Sequence, residues 1–269
     1  MRPISLAHLT MLDATPLELI DAASASGFSH VGLRIVPPTP DPAWRSIIGD
    51  AQAEREVEQR LAATGVKVLD VEAFWMAPDF CVEECRPAFA LGAELGARYL
   101  VVICNDPDRA RAIGNFARLC ALAAEFDLMP ALEFIPYTHV ASLADALQIV
   151  NAAGAPNAGL LIDLLHLSRS GGSPADLAQV SPALVHFAHV CDAPAAIPKT
   201  VDEMGREARG DRLYPGAGAL PVREFLAALP DDTPVAIEAP NPRCAHLSFA
   251  ERARRAHAAM AQALGAGHG

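Results

Sequence analysis

Basic charge is the first thing this sequence is short of. Lysine and arginine number 21 against 32 aspartates and glutamates, a formal net charge of −11 over 269 residues. A protein that grips nucleic acid needs a basic footprint to displace counterions from phosphates, and none is present. The densest basic run, Arg252, Arg254 and Arg255 beside Glu251, reads as the solvated face of a terminal helix. Long apolar runs are also missing. No stretch reaches the roughly 18 residues that cross a bilayer. The opening MRPISLAHLT has no basic region followed by a long apolar segment, so no membrane partner and a cytoplasmic location are expected. No CxxC pair occurs among Cys81, Cys85, Cys104, Cys120, Cys191 and Cys244, which are expected to be reduced and mostly buried. The two close thiols, Cys81 and Cys85, do not make a metal site alone. The segment AHLTMLDATP after the first apolar run is no glycine-rich loop, which removes the usual signature of an open, doubly wound nucleotide-binding sheet.

What is present is a repeated strand-then-helix beat in a chain whose hydrophobic fraction is 52%. Expected strands lie near Ile4–His8, His30–Ile35, Lys67–Ala73, Tyr99–Cys104, Met129–Phe134, Gly159–Asp163, Leu184–Cys191 and Val235–Glu238. Helical stretches fall between them. Thr15 and Pro16 cap the first, Ser173 and Pro174 a short sixth, and Ser248–Leu264 closes the chain. Nearly continuous apolar strands suit a parallel sheet covered on both faces, and eight units suggest closure. The expected fold is α/β, a single (β/α)8 TIM barrel spanning residues 1–269 as one domain. Two connections stand out: the proline-rich PPTPDP at 37–42, and a long loop from Asp192 to Ala219 on the face where such barrels do their chemistry.

That face is built from the C-terminal ends of the strands. There the fifth strand ends ALEF with Glu133, the sixth LLID with Asp163, and the eighth VAIE with Glu238; the seventh, HFAHVCD, carries His189. One such carboxylate could cap a helix or pair with an arginine. Three acidic groups converging on one volume repel each other unless a cation lies between them. Three carboxylates and an imidazole favour Mn²⁺ or Mg²⁺, with Co²⁺, Fe²⁺ or Zn²⁺ also compatible. One divalent ion is therefore expected on Glu133, Asp163, His189 and Glu238. His166, three residues after Asp163, belongs near the same mouth. Arg212 in the long loop could hold a substrate oxygen. Glu72 and His8 end the third and first strands and are further substrate-binding candidates. Phe74 and Trp75 read as packing, one of them a possible pocket wall. His186 is three residues from His189, so a regular strand turns it the other way. Asp192 is a candidate support for His189.

The segments ALEF, LLIDLLH, FAHVCDAP, DRLYPGAG and VAIEAP together resemble the sugar phosphate isomerase/epimerase family with xylose isomerase-like barrels, most strongly from Leu132 to Pro240. The resemblance implies the same four ligands, with the family's histidine at His166 and its arginine at Arg212. Two departures matter. Many members read Pro-Gly-Glu-Gly where this chain has Pro215-Gly216-Ala217-Gly218, and a catalytic lysine cannot be assumed where only Lys67 and Lys199 occur.

The implied activity is a metal-dependent isomerase or epimerase of a small keto-sugar or related polyhydroxy-ketone. Glu133 and Glu238 would exchange the substrate proton through a metal-bound enediolate, with His166 and Arg212 stabilising the oxyanion. A dehydratase of an inosose or dehydroshikimate-like substrate shares the first step. A non-catalytic metal- or sugar-binding barrel is the non-enzymatic alternative. The acidic charge argues against a DNA phosphodiesterase. Partners reduce to a small-molecule substrate and a possible homo-oligomer.

Overall fold

The computed structural model describes residues 2–37 and 46–265. Strand β1 (Ile4–Leu6) enters a 3-10 turn at His8–Met11 and then α1 (Pro16–Ser26), where Thr15 and Glu18 cap each other reciprocally. There follow β2 (His30–Arg34), α2 (Ala51–Thr64), β3 (Lys67–Met76), α3 (Arg86–Glu94), β4 (Tyr99–Cys104) and α4 (Arg109–Ala124). The second half holds β5 (Met129–Glu133), α5 (Leu143–Ala153), β6 (Gly159–Asp163), α6 (Leu164–Arg169), β7 (Val185–Val190), α7 (Val201–Gly210), α8 (Val222–Ala228), β8 (Val235–Ile237) and α9 (Phe249–Ala263). The eight strands are parallel, pair in chain order and close β1 on β8. The chain folds as a (β/α)8 barrel.

Two apolar layers hold it. Outward strand residues such as Val31, Leu33, Leu100, Val102, Leu132 and Ile162 meet the helices. Inward ones fill the barrel: Leu69, Tyr99, Val101, Ala131, Leu161 and Phe187, with Tyr99 stacked on Phe187 at 5.2 Å. This inner plug makes the lower barrel a core rather than a pore. Among the described residues no helix is long and apolar enough to cross a membrane. All six cysteines are free, and all but Cys81 are buried.

Several local expectations need correction. The first strand stops at Leu6, so His8 lies in the turn beyond it. Helix α6 starts directly after Asp163, which caps it, while Ser173 and Pro174 open only a 3-10 segment, Pro174–Gln179. The long loop contains α7, started by a reciprocal cap between Thr200 and Glu203. Arg252 is no solvated residue. It is buried, bonded to both Asp13 oxygens and the Thr10 carbonyl, and ties α9 to the turn after β1. The PPTPDP segment lies outside the described residues beyond Pro37, as does the terminal GAGHG beyond Gly265.

Candidate metal centre and active site

In a regular strand alternate side chains face the barrel interior. On β5 and β6 that parity turns Glu133 and Asp163 inward at the last strand positions, and Asp163 is the register partner of His189 on β7. Glu238 directly follows β8, whose Ala236 pairs with His189. Four neighbouring strands thus deliver four side chains to one height.

The four groups converge closely. His189 Nδ1 lies 3.3 Å from Glu238 Oε2, 3.7 Å from Glu133 Oε1 and 3.9 Å from Asp163 Oδ2. One ligand atom from each residue lies within 4.8 Å of the others, and all four residues are buried. Two ligands roughly 2.0–2.2 Å from a shared ion stand about 3–4 Å apart, so this spacing suits a small divalent cation. Glu133 Oε1 and His189 Nδ1 are buried without a hydrogen-bond partner. Buried polar atoms are normally satisfied, and an ion among these four would satisfy both.

The electrostatics express the same demand for positive charge. Burial pushes His189 down, but the charges of Glu238 and Glu133 outweigh it and hold the imidazole well above its usual value. Burial pushes Glu133 up to about 7, helped by the charge of Glu238 against the opposing pull of His189. Burial also raises Asp163, but Arg212 and then His166 outweigh it and keep the carboxyl below its usual range. Glu238 is held low in the same way, by His189 and Arg212 against burial.

Arg212 stands where the sequence put it, at the site, but its partners are the acidic residues themselves. Its Nη1 donates to Asp163 Oδ2 at 2.6 Å, its Nη2 lies 3.0 Å from Glu238 Oε2, and its Nε donates to the Ala208 carbonyl. That last bond, with a buried pair of Arg169 and Glu207 at 2.7 Å, fastens α7 over the barrel mouth. His166 lines the cavity as expected. Its backbone N–H donates to Asp163 Oδ1, and burial lowers its ring to about 4, so it is a neutral donor or acceptor there.

A cavity of about 90 Å³ opens above these residues, lined also by Arg34, Glu72, Trp75, Tyr137 and Arg209. Glu72 and Trp75 therefore reach the pocket, while Phe74 packs edge-on against Phe89 in the outer layer. His8 does not line it. Its Nδ1 accepts from the Arg34 backbone N–H at 3.0 Å and its Nε2 lies 3.0 Å from the Ala14 carbonyl, so both ring nitrogens are engaged. Asp192 does not support His189 either. It gathers the backbone N–H groups of Gly216, Gly218 and Leu220, shaping the loop that follows Arg212. A Cβ at Gly218 would stand 2.4 Å from the Ala193 carbonyl oxygen, which explains the glycine there. Ala217 is exposed.

The sequence missed Arg34, Tyr137, Arg209 and Asp70. Strand β3 carries register shifts at Leu69 against β2 and at Glu72–Ala73 against β4. They break alternation, so that Asp70 and Glu72 face inward together with Leu69 and Ala73. A shift on β7 skips His186. Its ring stands against Tyr99 and over Gly159, at the opposite end of the barrel from His189.

Comparison with known proteins agrees with this architecture. The family model described as xylose isomerase-like TIM barrel matches residues 20–264. The chain belongs to that family. An inosose isomerase of Halalkalibacterium halodurans is 29% identical over 120 residues, 44% of this chain and 40% of that protein. The chain spans about half the length, or less, of the curated relatives it matches, all inosose isomerases. A crystal structure of IOLI protein with a bound zinc atom superposes at a TM-score of 0.81, with 18% identity over 98% of both chains. A D-allulose 3-epimerase from Methylomonas sp., in complex with D-allulose, superposes at 0.71, with 16% identity over 97% of this chain and 96% of that one. At such identities the superpositions establish the fold alone.

Proposed function

We propose that this barrel is a divalent-metal-dependent isomerase or epimerase of a small polyhydroxylated ketone. The observation that carries the reading is the buried Glu133–Asp163–His189–Glu238 cluster opening into a cavity that both glutamates line. These four residues would hold the ion, and the oxygen-rich set favours Mn²⁺ or Mg²⁺ while remaining compatible with Zn²⁺. When bound, the ion supplies Lewis acidity to the ketone and its neighbouring hydroxyl, which acidifies the C–H between them.

The remaining work falls to side chains. Glu133, buried and facing the cavity, is one proton carrier. Glu238, on the strand that closes the barrel, faces the same cavity and is the second proton carrier. Delivery by one glutamate after removal by the other inverts the carbon; return to the adjacent carbon moves the carbonyl. Neutral His166 donates to the oxygen on which negative charge develops. Arg212 holds Asp163 and Glu238 in place, and Arg209 of α7 lies over the Tyr137 ring on the cavity wall.

The test is hydrogen exchange. Metal-loaded protein in D2O should exchange the C–H beside the carbonyl of an inosose or ketohexose, followed by proton NMR, and chelator should stop it. Product analysis then separates isomerisation from loss of water. No exchange with any hydroxyketone by protein that holds its metal would sink the proposal.

A further inference from the structure

The cavity has a second polar wall, opposite the metal-ligand strands. Arg34 ends β2 and Glu72 is its register partner on β3; both are buried and both line the cavity. They form an ion pair that is loose, with Arg34 Nη2 3.5 Å from Glu72 Oε2. Arg34 Nε and Glu72 Oε1 are each buried without a hydrogen-bond partner. An unsatisfied donor and an unsatisfied acceptor thus lie within the wall of the substrate space, on the two residues that line it. The backbone beneath is fixed, since His8 Nδ1 accepts the Arg34 N–H at 3.0 Å and the Glu72 carbonyl accepts from Ile35 at 3.1 Å.

We propose that Arg34 and Glu72 form a hydroxyl-reading subsite, which takes the distal hydroxyls of a polyol whose ketone end lies at Glu133 and Glu238. This rests on the functional reading above and narrows its substrate class. A hydroxyl both donates and accepts, so one hydroxyl or a vicinal diol satisfies both orphan atoms. A carboxylate or phosphate only accepts. It would meet Arg34 but leave Glu72 Oε1 unmatched and place like charges together. An ammonium would fail at Arg34. Because the wall is already buried, an analogue lacking the hydroxyl leaves both atoms unpaired, which is the arrangement that discriminates most strongly. The subsite therefore selects neutral polyhydroxylated ketones over short keto acids and phosphorylated sugars.

The experiment compares three ketones on Mg²⁺- or Zn²⁺-loaded protein by titration calorimetry: 2-keto-myo-inositol, dihydroxyacetone, which lacks distal hydroxyls, and hydroxypyruvate, which replaces one end by a carboxylate. The inosose is expected to bind at least tenfold more tightly than either. Arg34→Met and Glu72→Met should each remove at least tenfold of that advantage, leaving bound metal and the dihydroxyacetone Kd unchanged. Those two constants also certify that the variants fold, and Arg34→Gln and Glu72→Gln replace any that do not. Equal binding of the inosose and dihydroxyacetone by wild type overturns the subsite, as does tightest binding of hydroxypyruvate with loss in Arg34→Met, which would make the wall an anion site. The two proposals fail separately. The binding pattern without C–H exchange in D2O keeps the subsite and removes the proton transfer, whereas exchange of all three ketones at equal KM does the reverse.

Discussion

The two halves of the barrel mouth are built by different rules. From β5 to β8 inward parity is kept at the top of every strand, and each strand ends in one ligand-type side chain at a common height. From β1 to β3 the first strand stops early, β3 is shifted twice, and the polar residues are Arg34, Asp70 and Glu72 with His8 folded beneath them. The regular half assembles a charge cluster that needs a cation. The irregular half assembles hydrogen-bonding atoms that lack partners. Regular strands give common height, which a shared ion requires; bulges re-aim single side chains, which recognition requires.

The largest expected effects lie in the regular half. Glu133→Gln and Glu238→Gln should lower kcat by roughly 10²–10⁴-fold, the range for losing a positioned acid or base. Metal content, measured by elemental analysis, should fall in the same variants and in His189→Ala. A Glu238→Gln protein with full metal and full turnover would break the assignment of both roles to one residue.

Next comes the coupling of metal to pH. Glu133 is pushed up to about 7 and His189 is held above its usual value, so at low pH an ion must displace protons from the cluster, and Glu133 gives up its own as pH rises through about 7. Affinity should therefore rise with pH. Calorimetry in buffers of different ionisation enthalpy should show proton release per ion falling as pH rises through about 7. Release near zero at pH 6 would mean that the cluster is not the binding site.

How much could be read in advance follows the same division. The eight-unit barrel and the set of Glu133, Asp163, His189 and Glu238 were legible because period-two alternation survives there, so a polar residue at the strand end has a predictable direction. Glu72 was named, but only as a strand end. Asp70 was not, because a bulge is a property of pairing between strands and leaves no mark on one strand's pattern; Arg34 was passed over although alternation with outward Val31 and Leu33 turns it inward. His8 misled for a related reason: the strand expected to end on it ends at Leu6. Helix α7 did leave a mark, since Thr200 followed by Glu203 is a helix-start signature inside the long loop.

A smaller effect probes the irregular half directly. Gly32 on β2 faces the Asp70 carboxyl so closely that a Cβ would stand 2.7 Å from Oδ1. Gly32→Ala should cost about 1–3 kcal/mol, the usual range for overpacking. Combining it with Asp70→Ala should recover most of that loss, a non-additivity expected of residues in contact. Additive losses in denaturant melts would separate Gly32 from the carboxyl.

The last effect concerns Asp70 alone, in protein kept metal-free with chelator. Both its oxygens are buried and unpartnered; burial first, and then the charge of Glu72, push it up to about 8. In the unfolded chain an aspartate titrates near ~3.9. Between those values the folded state keeps a proton that the unfolded state has lost, so this group makes stability fall as pH rises from about 4 to about 8. Its contribution is fully present below the unfolded value and gone above the folded one. An asparagine side chain cannot ionise and keeps the shape of the carboxyl it replaces. Asp70→Asn should match wild type near pH 4 and become progressively more stable towards pH 8, by about 2–4 °C in Tm for each kcal/mol gained. Melting curves from pH 4.5 to 9 decide it. Parallel profiles would mean that Asp70 is ionised beside a compensating cation, and the interior beneath the irregular half would then be charge-balanced in the same way as the cluster opposite.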